Sequence, residues 1–374
     1  MLNQDIHKEL NKNKVAIGLS GGVDSTAAAY LLKQEGYEVI GLTMKLFDTF
    51  DKNGNLLENQ TINDAKKVAE KLNIEHHVLD YRDVFEKEII NNFRDEYLIG
   101  RTPNPCVRCN RLIKFGALLS SAHALGAYYL ATGHYSRIIY DHESKEFKIL
   151  KGTAEKKDQA YMFHVLKQEQ LKYIKFPLGH FKTKKKIREI AKKVDIALAD
   201  KEDSQDICFI QDNNYPKFLK EKLNVKVKYG NFVDIYGNIL GRHKGIINYT
   251  IGQRRGLGIA IGKPAYVIRI NPRRNEVVIG DNKHTYKKGF IGHQYNFLKD
   301  IKIDGLAVEV KIRYSAKPSK AKIYKLDNNR IKVIFNKKER AITPGQAAVF
   351  YINDEVIGGV DVDKVIEEWF NECF

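Results

Sequence analysis

The sequence predicts an α/β fold with a doubly wound parallel sheet, followed by a small linking domain and a C-terminal antiparallel β-barrel. Two observations support this prediction. In the first half of the chain, short β-branched runs alternate with helical patterns, which is typical of a parallel sheet flanked by helices. After about residue 215, apolar and polar residues alternate with a period of two, as in antiparallel strands. The predicted domains span residues 1–215, 216–285 and 286–374.

The first domain begins with a buried strand, KVAIGLS, and a helix over Thr26–Gln34. The strand YEVIGLTMKLF follows, and then the helix INDAKKVAEKLN, whose apolar residues recur at helical spacing. Further strands are predicted at EHHVLD and AYYLATGHY, and further helices at VFEKEIINNFRDEYL and over residues 107–125. Parallel sheets bind ligands at the carboxyl ends of their strands, so the loops after these strands are candidate binding loops.

The second half of the chain is rich in predicted strands. They include AYVIRI, EVVIGD, LAVEVKIRY, KAKIYKL and RIKVIF, with a turn at Asp327–Asn329 and a long glycine-rich loop, NYTIGQRRGLGIAIGKPAY, before the first of them. The strand pattern of residues 286–374 therefore predicts a small antiparallel barrel. The segment GQRRGLG within the loop is either a flexible basic clamp or a glycine-rich hairpin.

The composition excludes several classes of protein. With 374 residues, 43% of them apolar and 29% charged, the chain has the composition of a folded globular protein. It has no apolar stretch near the ~18 residues that a membrane span needs, and its start, MLNQDIHKELNKNK, lacks the apolar core of a secretory signal. Four cysteines are too few to staple a fold of this size. We therefore expect a cytoplasmic protein without membrane contact, whose cysteines serve chemistry.

The charge favours a polyanionic partner. Lys and Arg number 63 against 46 Asp and Glu, which gives a net charge of +17. Basic residues cluster in KTKKKIREIAKK (Lys182–Lys193) and in YPKFLKEKLNVKVKYG (Tyr215–Gly230). The alternative is that the lysines are merely solvated and reflect a biased composition.

The strongest local signal is VAIGLSGGVDSTAAAYLL, in which an apolar strand leads through Ser20–Ser25 into a helix. Glycines let backbone N–H groups approach phosphate oxygens, serine hydroxyls add donors, and the helix N-terminus adds partial positive charge. Neither the Walker Lys-Ser/Thr pair nor the G-x-G-x-x-G spacing of dinucleotide sites is present. A plain strand–helix turn capped by Ser and Asp is the alternative, but the full pattern favours a phosphate loop.

Two cysteines, Cys106 and Cys109, lie three positions apart in NPCVRCNR. A zinc site would need a second such pair, and the sequence offers no suitable one. The spacing leaves open a redox dithiol at a helix start, a thiolate nucleophile beside Arg108 and Arg111, and two buried structural thiols. Cys208, in KEDSQDICFI, is by itself most simply a buried core residue.

Taken together, GLSGGVDS, TPNPCVRCNRLIKF, ATGHYSRI, KDQAYMFHVL, SQDICFI and NYTIGQRRGLGI closely resemble the motifs of bacterial tRNA-specific 2-thiouridylases, in order and over essentially the whole chain. SGGVDS resembles the loop of the Rossmann-like PP-loop ATP pyrophosphatases, which split ATP into AMP and pyrophosphate. The resemblance implies a tRNA-uridine 2-sulfurtransferase that adenylates O2 of the wobble uridine and replaces this oxygen by sulfur.

The resemblance also implies how sulfur is delivered. Sulfur would arrive as a persulfide from a sulfur-relay protein or a cysteine desulfurase, with Cys208 as the persulfide carrier and Cys109 as the catalytic cysteine. Either the persulfide attacks the adenylated carbon directly, or Cys109 cleaves it and the released sulfide attacks. Both routes end with a Cys109–Cys208 disulfide that must be reduced.

The resemblance also implies that tRNA is the macromolecular partner and that Mg²⁺ accompanies ATP. It implies no permanently bound metal, and a protein that is monomeric when it is free of tRNA. The target base must leave the anticodon stack to expose its C2 oxygen. The residues implied for ATP are Gly18, Leu19, Ser20, Gly21, Gly22, Val23, Asp24, Ser25, Met44 and Gly133. Those implied for the target base and the tRNA are Asn104, Pro105, Cys106, Lys157, Asp158, Gln159, Arg313 and Tyr314.

The chain departs from the family's pattern at one position. The well-known form of the motif has aspartate after Asn-Pro, proposed to assist proton transfer at the uracil, whereas this chain has Cys106. No carboxylate general acid is therefore present there. Cys106 as a weak acid, water, or another group such as Asp24 would take its place.

Three alternatives compete with this interpretation. In the first, Cys106, Cys109 and Cys208 ligate a 4Fe–4S cluster, as in cluster-dependent tRNA thiolases. The second is an amidating PP-loop ligase such as a GMP or NAD synthetase, but the sequence offers no glutaminase Cys/His pair to supply ammonia. A non-enzymatic RNA-binding module is the third, and it leaves the phosphate loop and the cysteines without a purpose.

Overall fold

The computed structural model describes residues 10–49, 55, 57–195, 207–210, 212 and 214–366. These residues form two compact units. The N-terminal residues Met1–Glu9 and the acidic segment Lys201–Asp206, both considered above, lie outside the described residues. The first unit takes its described residues from Met1–Ile89, Val107–Gln205 and Asp354–Val356, and the second from Ile90–Cys106, Asp206–Asn353 and Ile357–Phe374.

A five-stranded parallel sheet forms the centre of the first unit. The strands of this unit are β1 (Asn11–Gly18), β2 (Glu38–Lys45), β3 (Glu75–Asp80), β4 (Ala127–Ala131), β5 (Ser136–Asp141), β6 (Glu146–Lys151) and β7 (Ile174–Lys175). The sheet order is β3-β2-β1-β4-β7, while β5 and β6 form an antiparallel hairpin.

The position of the central strand β1 explains the apolar run that begins at Val15. Val15, Ala16 and Ile17 of β1 are fully buried, and Val15 pairs with Val39 on one side and Tyr129 on the other. A strand that is covered on both faces needs a continuous rather than an alternating apolar sequence.

Helices flank the sheet and connect its strands. In chain order, the first eight helices are α1 (Val23–Gln34), α2 (Gln60–Leu72), α3 (Arg82–Phe85), α4 (Asn91–Leu98), α5 (Pro105–Cys109), α6 (Leu118–Ala124), α7 (Gln168–Leu171) and α8 (Lys184–Lys192). Of these, α4 belongs to the second unit, and α5 contains residues of both units. Wider π-helical turns at Glu86–Ile90 and Asn110–Ala117 join α3 to α4 and α5 to α6.

The boundaries of these helices have local causes. The side chain of Asn59 accepts the N–H of Ile62 and so caps α2, which ends at Asn73 in a left-handed conformation with φ 48°. The helix predicted over residues 107–125 begins two residues earlier, at Pro105, with α5. A proline is tolerated at the first helical position because its missing N–H would have no partner there.

The second unit contains α9 (Tyr215–Glu221) and a four-stranded mixed sheet of order β10-β11-β8-β9. Phe232, Val267, Val277 and Ile279 form its buried core. The strands are β8 (Gly230–Val233), β9 (Ile239–His243), β10 (Tyr266–Asn271) and β11 (Glu276–Gly280).

The same unit contains a closed antiparallel barrel. Its sheet order is β12-β15-β14-β13-β16-β17, and β17 pairs back onto β12 around a core that includes Phe290, Phe335 and Phe350. The predicted parallel sheet, middle segment and C-terminal antiparallel barrel are thus confirmed. The barrel strands are β12 (Tyr286–Phe297), β13 (Leu306–Lys311), β14 (Ser319–Lys325), β15 (Arg330–Arg340), β16 (Ala347–Ile352) and β17 (Glu355–Val365).

Among the described residues, no helix combines the length and the apolar character that crossing a membrane requires.

Candidate active site

The loop between β1 and α1 is a closed turn at the carboxyl end of the central strand. Ser25 Oγ accepts the N–H of Ser20 at 3.2 Å and donates to the carbonyl of Gly22 at 3.1 Å. The N–H of Leu19 donates to Leu42 of the neighbouring strand β2 at 2.8 Å, which fixes where the loop begins. The turn therefore presents the backbone N–H groups at the start of α1 at one sheet edge.

Gly21 is a glycine for reasons of both conformation and space. Its φ is +65°, a left-handed value that side chains disfavour, and an added Cβ would lie 2.4 Å from Cβ of Asp64 in α2. The loop between β1 and α1 is thus packed directly on α2.

Gly133 lies against the same loop from the next strand of the sheet. A Cβ added to Gly133 would lie 2.8 Å from the carbonyl carbon of Asp24 and 2.9 Å from the nitrogen of Ser25. The loops after β1 and β4, which are neighbours in the sheet, therefore meet backbone to backbone at its carboxyl edge.

The other residues implied for ATP lie at the same edge. Met44 is half-buried near the end of β2, where it pairs with Leu79. Leu19 and Val23 are 2% and 4% exposed, so their side chains belong to the core and only their backbones face the loop. Gly18 ends β1, and its added Cβ would meet nothing closer than 3.7 Å.

Asp24 is at the centre of a polar contact that the motifs do not reveal. Tyr135 donates its hydroxyl to Asp24 Oδ1 at 2.6 Å, and the ammonium of Lys184 lies 2.6 Å from the same oxygen. Sequence reasoning missed both residues. Tyr135 directly follows the TGH motif, and Lys184 belongs to a basic cluster that gave no sign of which lysine turns inward.

His134, next to Gly133, packs among three phenylalanine rings. Burial lowers the pKa of His134 well below its ordinary value, and the positive charge of Lys114 lowers it further. Its Nδ1 lies 2.7 Å from Thr132 Oγ1, and its ring packs edge-on against Phe163.

Cys109 ends α5 and is 8% exposed. The next residue, Asn110, is 2% exposed, and its Oδ1 has no hydrogen-bond partner among the described residues. Arg108, considered above as a cation that activates a thiolate, donates instead to the carboxylate and the carbonyl of Glu88, at 2.8 and 2.6 Å. The guanidinium is therefore paired with a carboxylate of the π-helical turn Glu86–Ile90.

The segment Lys157–Gln159 lies in the first unit, beside Tyr135. Asp158 Oδ1 accepts the N–H groups of Gly152 and Ala160, at 2.9 and 3.1 Å. Gln159 Oε1 accepts the N–H of Tyr135 at 2.9 Å. Asp158 and Gln159 thus shape the loop with their side chains, while Lys157 is half-buried at the end of a 3₁₀ turn.

In the second unit, Cys208 is exposed on a turn in which Ile210 donates its N–H to Ile207. Phe209 is 6% exposed and packs edge-on against Phe93 with ring centroids 5.3 Å apart. The neighbouring residues therefore bury themselves in the core, and the cysteine, contrary to the simplest interpretation of an isolated cysteine, points outward.

The segment that leads to the residues implied for the target base is held by the barrel. Gln346 Nε2 donates to the carbonyls of Thr102 and Pro103, at 2.9 and 3.2 Å, and Thr102 donates its N–H to Pro344. Beyond this clamp, Asn104 is half-buried, Pro105 is buried and Cys106 is exposed.

Arg313 lies in a cleft of about 460 Å³ within the second unit. Tyr314 is 38% exposed, and the ammonium of Lys311 lies 5.3 Å from the centre of its ring. A second arginine of the cleft, Arg340, was missed because a lone arginine at a strand end has no distinguishing pattern. The cleft is lined by Tyr215, Pro216, Asn248, residues 250–253, Arg313 and Arg340.

Cys106, Cys109 and Cys208 are all present as thiols. Within the described ranges, no group of three or more His, Cys, Asp and Glu side chains is arranged to hold a metal ion.

Family models match three successive stretches of the chain. They are described as a tRNA methyl transferase HUP domain over residues 13–212, a tRNA methyl transferase PRC-barrel domain over residues 216–281, and an aminomethyltransferase beta-barrel domain over residues 287–362. Among solved structures, U34-tRNA thiolase NcsA from Methanococcus maripaludis with its 4Fe–4S cluster is 20% identical, covers 58% of this chain and 69% of that one, and has a TM-score of 0.33. That likeness is too weak to support an argument.

Curated relatives match nearly the whole chain. The tRNA-specific 2-thiouridylase MnmA of Acetivibrio thermocellus is 48% identical over 356 residues, which cover 94% of this chain and 99% of that protein. The protein of the same name from Clostridium perfringens is 47% identical over 96% of this chain and 100% of its own. The chain therefore belongs to the tRNA-specific 2-thiouridylase family.

Proposed function

We propose that this chain catalyses the ATP-dependent 2-thiolation of the wobble uridine of tRNA. The observation that carries the proposal is the phosphate loop, a closed Ser20–Ser25 turn packed against Gly133, in a chain that is related to thiouridylases over 94% of its length. The loop supplies the ATP site that adenylation of a carbonyl oxygen requires.

In this proposal the loop binds the triphosphate of ATP. Backbone N–H groups at the start of α1 and the hydroxyls of Ser20 and Ser25 donate to phosphate oxygens. The carboxylate of Asp24 suits the Mg²⁺ that accompanies ATP, because Mg²⁺ is usually held by one or two carboxylates together with phosphates. Uracil O2 then attacks the α-phosphorus, which forms the adenylated uridine and releases pyrophosphate.

Cys208 is proposed as the persulfide carrier, since its exposed thiol is accessible to a donor protein. In one route, the terminal sulfur of the persulfide bonds to C2 of the uridine and AMP leaves. The Cys109 thiolate then attacks Sγ of Cys208, which frees the thiouridine and leaves a disulfide. In the other route, the Cys109 thiolate first attacks Sγ of Cys208, which forms the disulfide and releases sulfide. The sulfide then bonds to C2, and AMP leaves. Both routes need an external reductant to restore the two thiols.

The proposed tRNA contacts divide by their chemistry. Asn104, Pro105 and the exposed Cys106 surround the flipped base. Arg313 suits a backbone phosphate, and the exposed ring of Tyr314 suits stacking on a base. Lys157 also suits a phosphate, whereas Asp158 and Gln159 contribute through the shape of their loop, because their side-chain oxygens already bind backbone N–H groups.

We also propose the setting of the reaction. A sulfur-relay protein or a cysteine desulfurase supplies the persulfide, the enzyme acts in the cytoplasm, and it is a monomer when free of tRNA.

The test is nucleoside analysis of tRNA incubated with the protein, ATP and a persulfide donor. We expect 2-thiouridine derivatives together with AMP and pyrophosphate. Cys109→Ser and Cys208→Ser should each abolish the product while ATP binding is retained. A thiolated product that requires no ATP would contradict the proposal. Strict dependence on bound iron would replace the persulfide route by the cluster alternative.

A further inference from the structure

The salt bridge between Lys184 and Asp24 has no part in the mechanism above. The Lys184 side chain is 14% exposed and that of Asp24 33%, and their N–O distance is 2.6 Å. The ammonium also lies 5.8 Å from the centre of the Tyr135 ring. A lysine that extended into solvent would be far more exposed, so this cation is held at the edge of the phosphate loop.

The position of Lys184 is fixed by the helix that it begins. Ile187 and Ala191 of α8 are fully buried in one core with Ala27 and Ala28 of α1. Since α1 starts from the phosphate loop, α8 is packed on the helix whose N-terminus faces the ligand. The neighbours Lys185 and Lys186 are exposed, so Lys184 is the lysine of this triplet that turns toward the loop.

The charges of the loop explain why a cation is useful there. A carboxylate beside a polyphosphate is unfavourable unless a cation lies between them, since like charges at short range destabilise each other. Both Tyr135 and Lys184 donate to Oδ1 of Asp24, and within the described part of the chain no donor to its Oδ2 is found. A lysine ammonium has three donors, so Lys184 can bind a phosphate oxygen either alongside Asp24 or in exchange for it.

We propose that Lys184 binds the pyrophosphate portion of ATP. When ATP binds, the ammonium turns from Asp24 Oδ1 to the β- and γ-phosphate oxygens, and it neutralises the charge that develops on the leaving pyrophosphate. Tyr135 is a positioning residue, because its hydroxyl holds the Asp24 carboxylate after the lysine has turned. This inference rests on the proposed ATP-dependent function and adds to it the residue that recognises the leaving group.

The experiment measures calorimetrically how wild type, Lys184→Gln, Lys184→Arg and Lys185→Gln bind ATP, inorganic pyrophosphate and AMP. Lys184→Gln should weaken ATP and pyrophosphate by about 10-fold or more, the size expected for a charge-assisted hydrogen bond. Its affinity for AMP should stay at the wild-type value, because AMP lacks the β- and γ-phosphates. Lys184→Arg should retain part of the pyrophosphate affinity, and Lys185→Gln, the matched control, all of it.

A substitution of Asp24 should change the affinity for pyrophosphate in the opposite direction. Without Mg²⁺, Asp24→Asn should bind pyrophosphate more tightly than wild type, because the competing carboxylate is gone. Wild-type affinity for pyrophosphate in Lys184→Gln would overturn the inference, as would an equal loss for AMP and pyrophosphate, which marks a structural role. Wild-type protein that does not bind ATP at all would instead refute the proposed function, so the two failures are distinguishable.

Discussion

At the scale of single residues, Cys106 occupies the position at which the resemblance to thiouridylase motifs led us to expect an aspartate. Its thiol is exposed, in contrast to that of Cys109, and it stands where a carboxylate is expected. A thiol is a weak acid, so a general-acid role of Cys106 can be only partial.

We predict that Cys106→Ser retains at least about one tenth of the thiolation rate, because removing a fully effective general acid costs about 100-fold or more. Single-turnover thiolation of tRNA, with Cys109→Ser as the inactive reference, measures this. Inactivity of Cys106→Ser as complete as that of Cys109→Ser would mean that the thiol is essential, and would favour the three-cysteine cluster.

Gly133 gives a steric prediction. Its added methyl group would lie within 3 Å of backbone atoms of Asp24 and Ser25, which cannot move aside as a flexible side chain can. Gly133→Ala should displace the phosphate loop and weaken ATP binding by about 10-fold or more, since displacements of about 1 Å have effects of that order. Gly18→Ala, whose added methyl group would meet nothing closer than 3.7 Å, should have the smaller effect. Calorimetric titration with ATP compares the two, and equal losses would contradict this steric argument.

At the scale of elements, the spacing of the apolar residues was sufficient to predict which residues are buried, where only one face of an element is buried. In α2, residues Ala65, Val68, Ala69 and Leu72 are buried as their spacing predicts. The π-helical turn Asn110–Ala117 was not predictable, because its wider hydrogen bonding leaves no signature in the sequence. Nor was the inward turn of Lys184, since all lysines of a basic helix look alike until the helix is packed.

The turn that carries Cys208 depends on its aromatic anchor. Phe209 packs against Phe93 and Phe218 with ring centroids 5.3 Å apart in both cases. We predict that Phe209→Ala costs about 3 kcal/mol of the free energy of unfolding. It should also slow persulfide transfer, because Cys208 is no longer held outward in one position. Denaturant unfolding and single-turnover assays measure the two effects, and the exposed Leu326→Ala is the matched control. Slower transfer without any loss of stability would contradict an anchoring role.

At the scale of the whole molecule, the order of parallel sheet, middle segment and antiparallel barrel was predictable from the sequence. Each of these parts has its own spacing of apolar residues. The turn between β1 and α1 was predictable as well, since its glycines and serines lie within six residues of each other. The contacts of Asp24 with Tyr135 and Lys184 were not, because they join residues 111 and 160 positions apart. A single sequence cannot reveal such pairs, which only packing brings together.

The net charge of +17 predicts that binding of tRNA depends strongly on salt concentration. The affinity for tRNA should fall steeply with salt, with a slope in the logarithmic plot of about −0.7 to −0.9 for each phosphate contacted. Arg313→Gln should reduce the magnitude of that slope by about one phosphate contact. Fluorescence titrations of labelled tRNA between low and physiological salt measure it, with Asn328→Gln on an exposed turn as the control. An unchanged slope for Arg313→Gln would exclude a phosphate contact at that residue.

The clamp on Thr102 and Pro103 gives the C-terminal barrel a further significance. Gln346, 244 positions along the chain, holds the carbonyl of Thr102, and Gly345 with φ +89° leaves no space for a side chain beside that residue. The barrel thus acts as a template that sets the position from which the residues proposed to receive the uridine begin. Domain exchange between relatives would therefore alter the alignment of the substrate as well as the strength of its binding, unless the loop 343–346 and its partner segment were exchanged together.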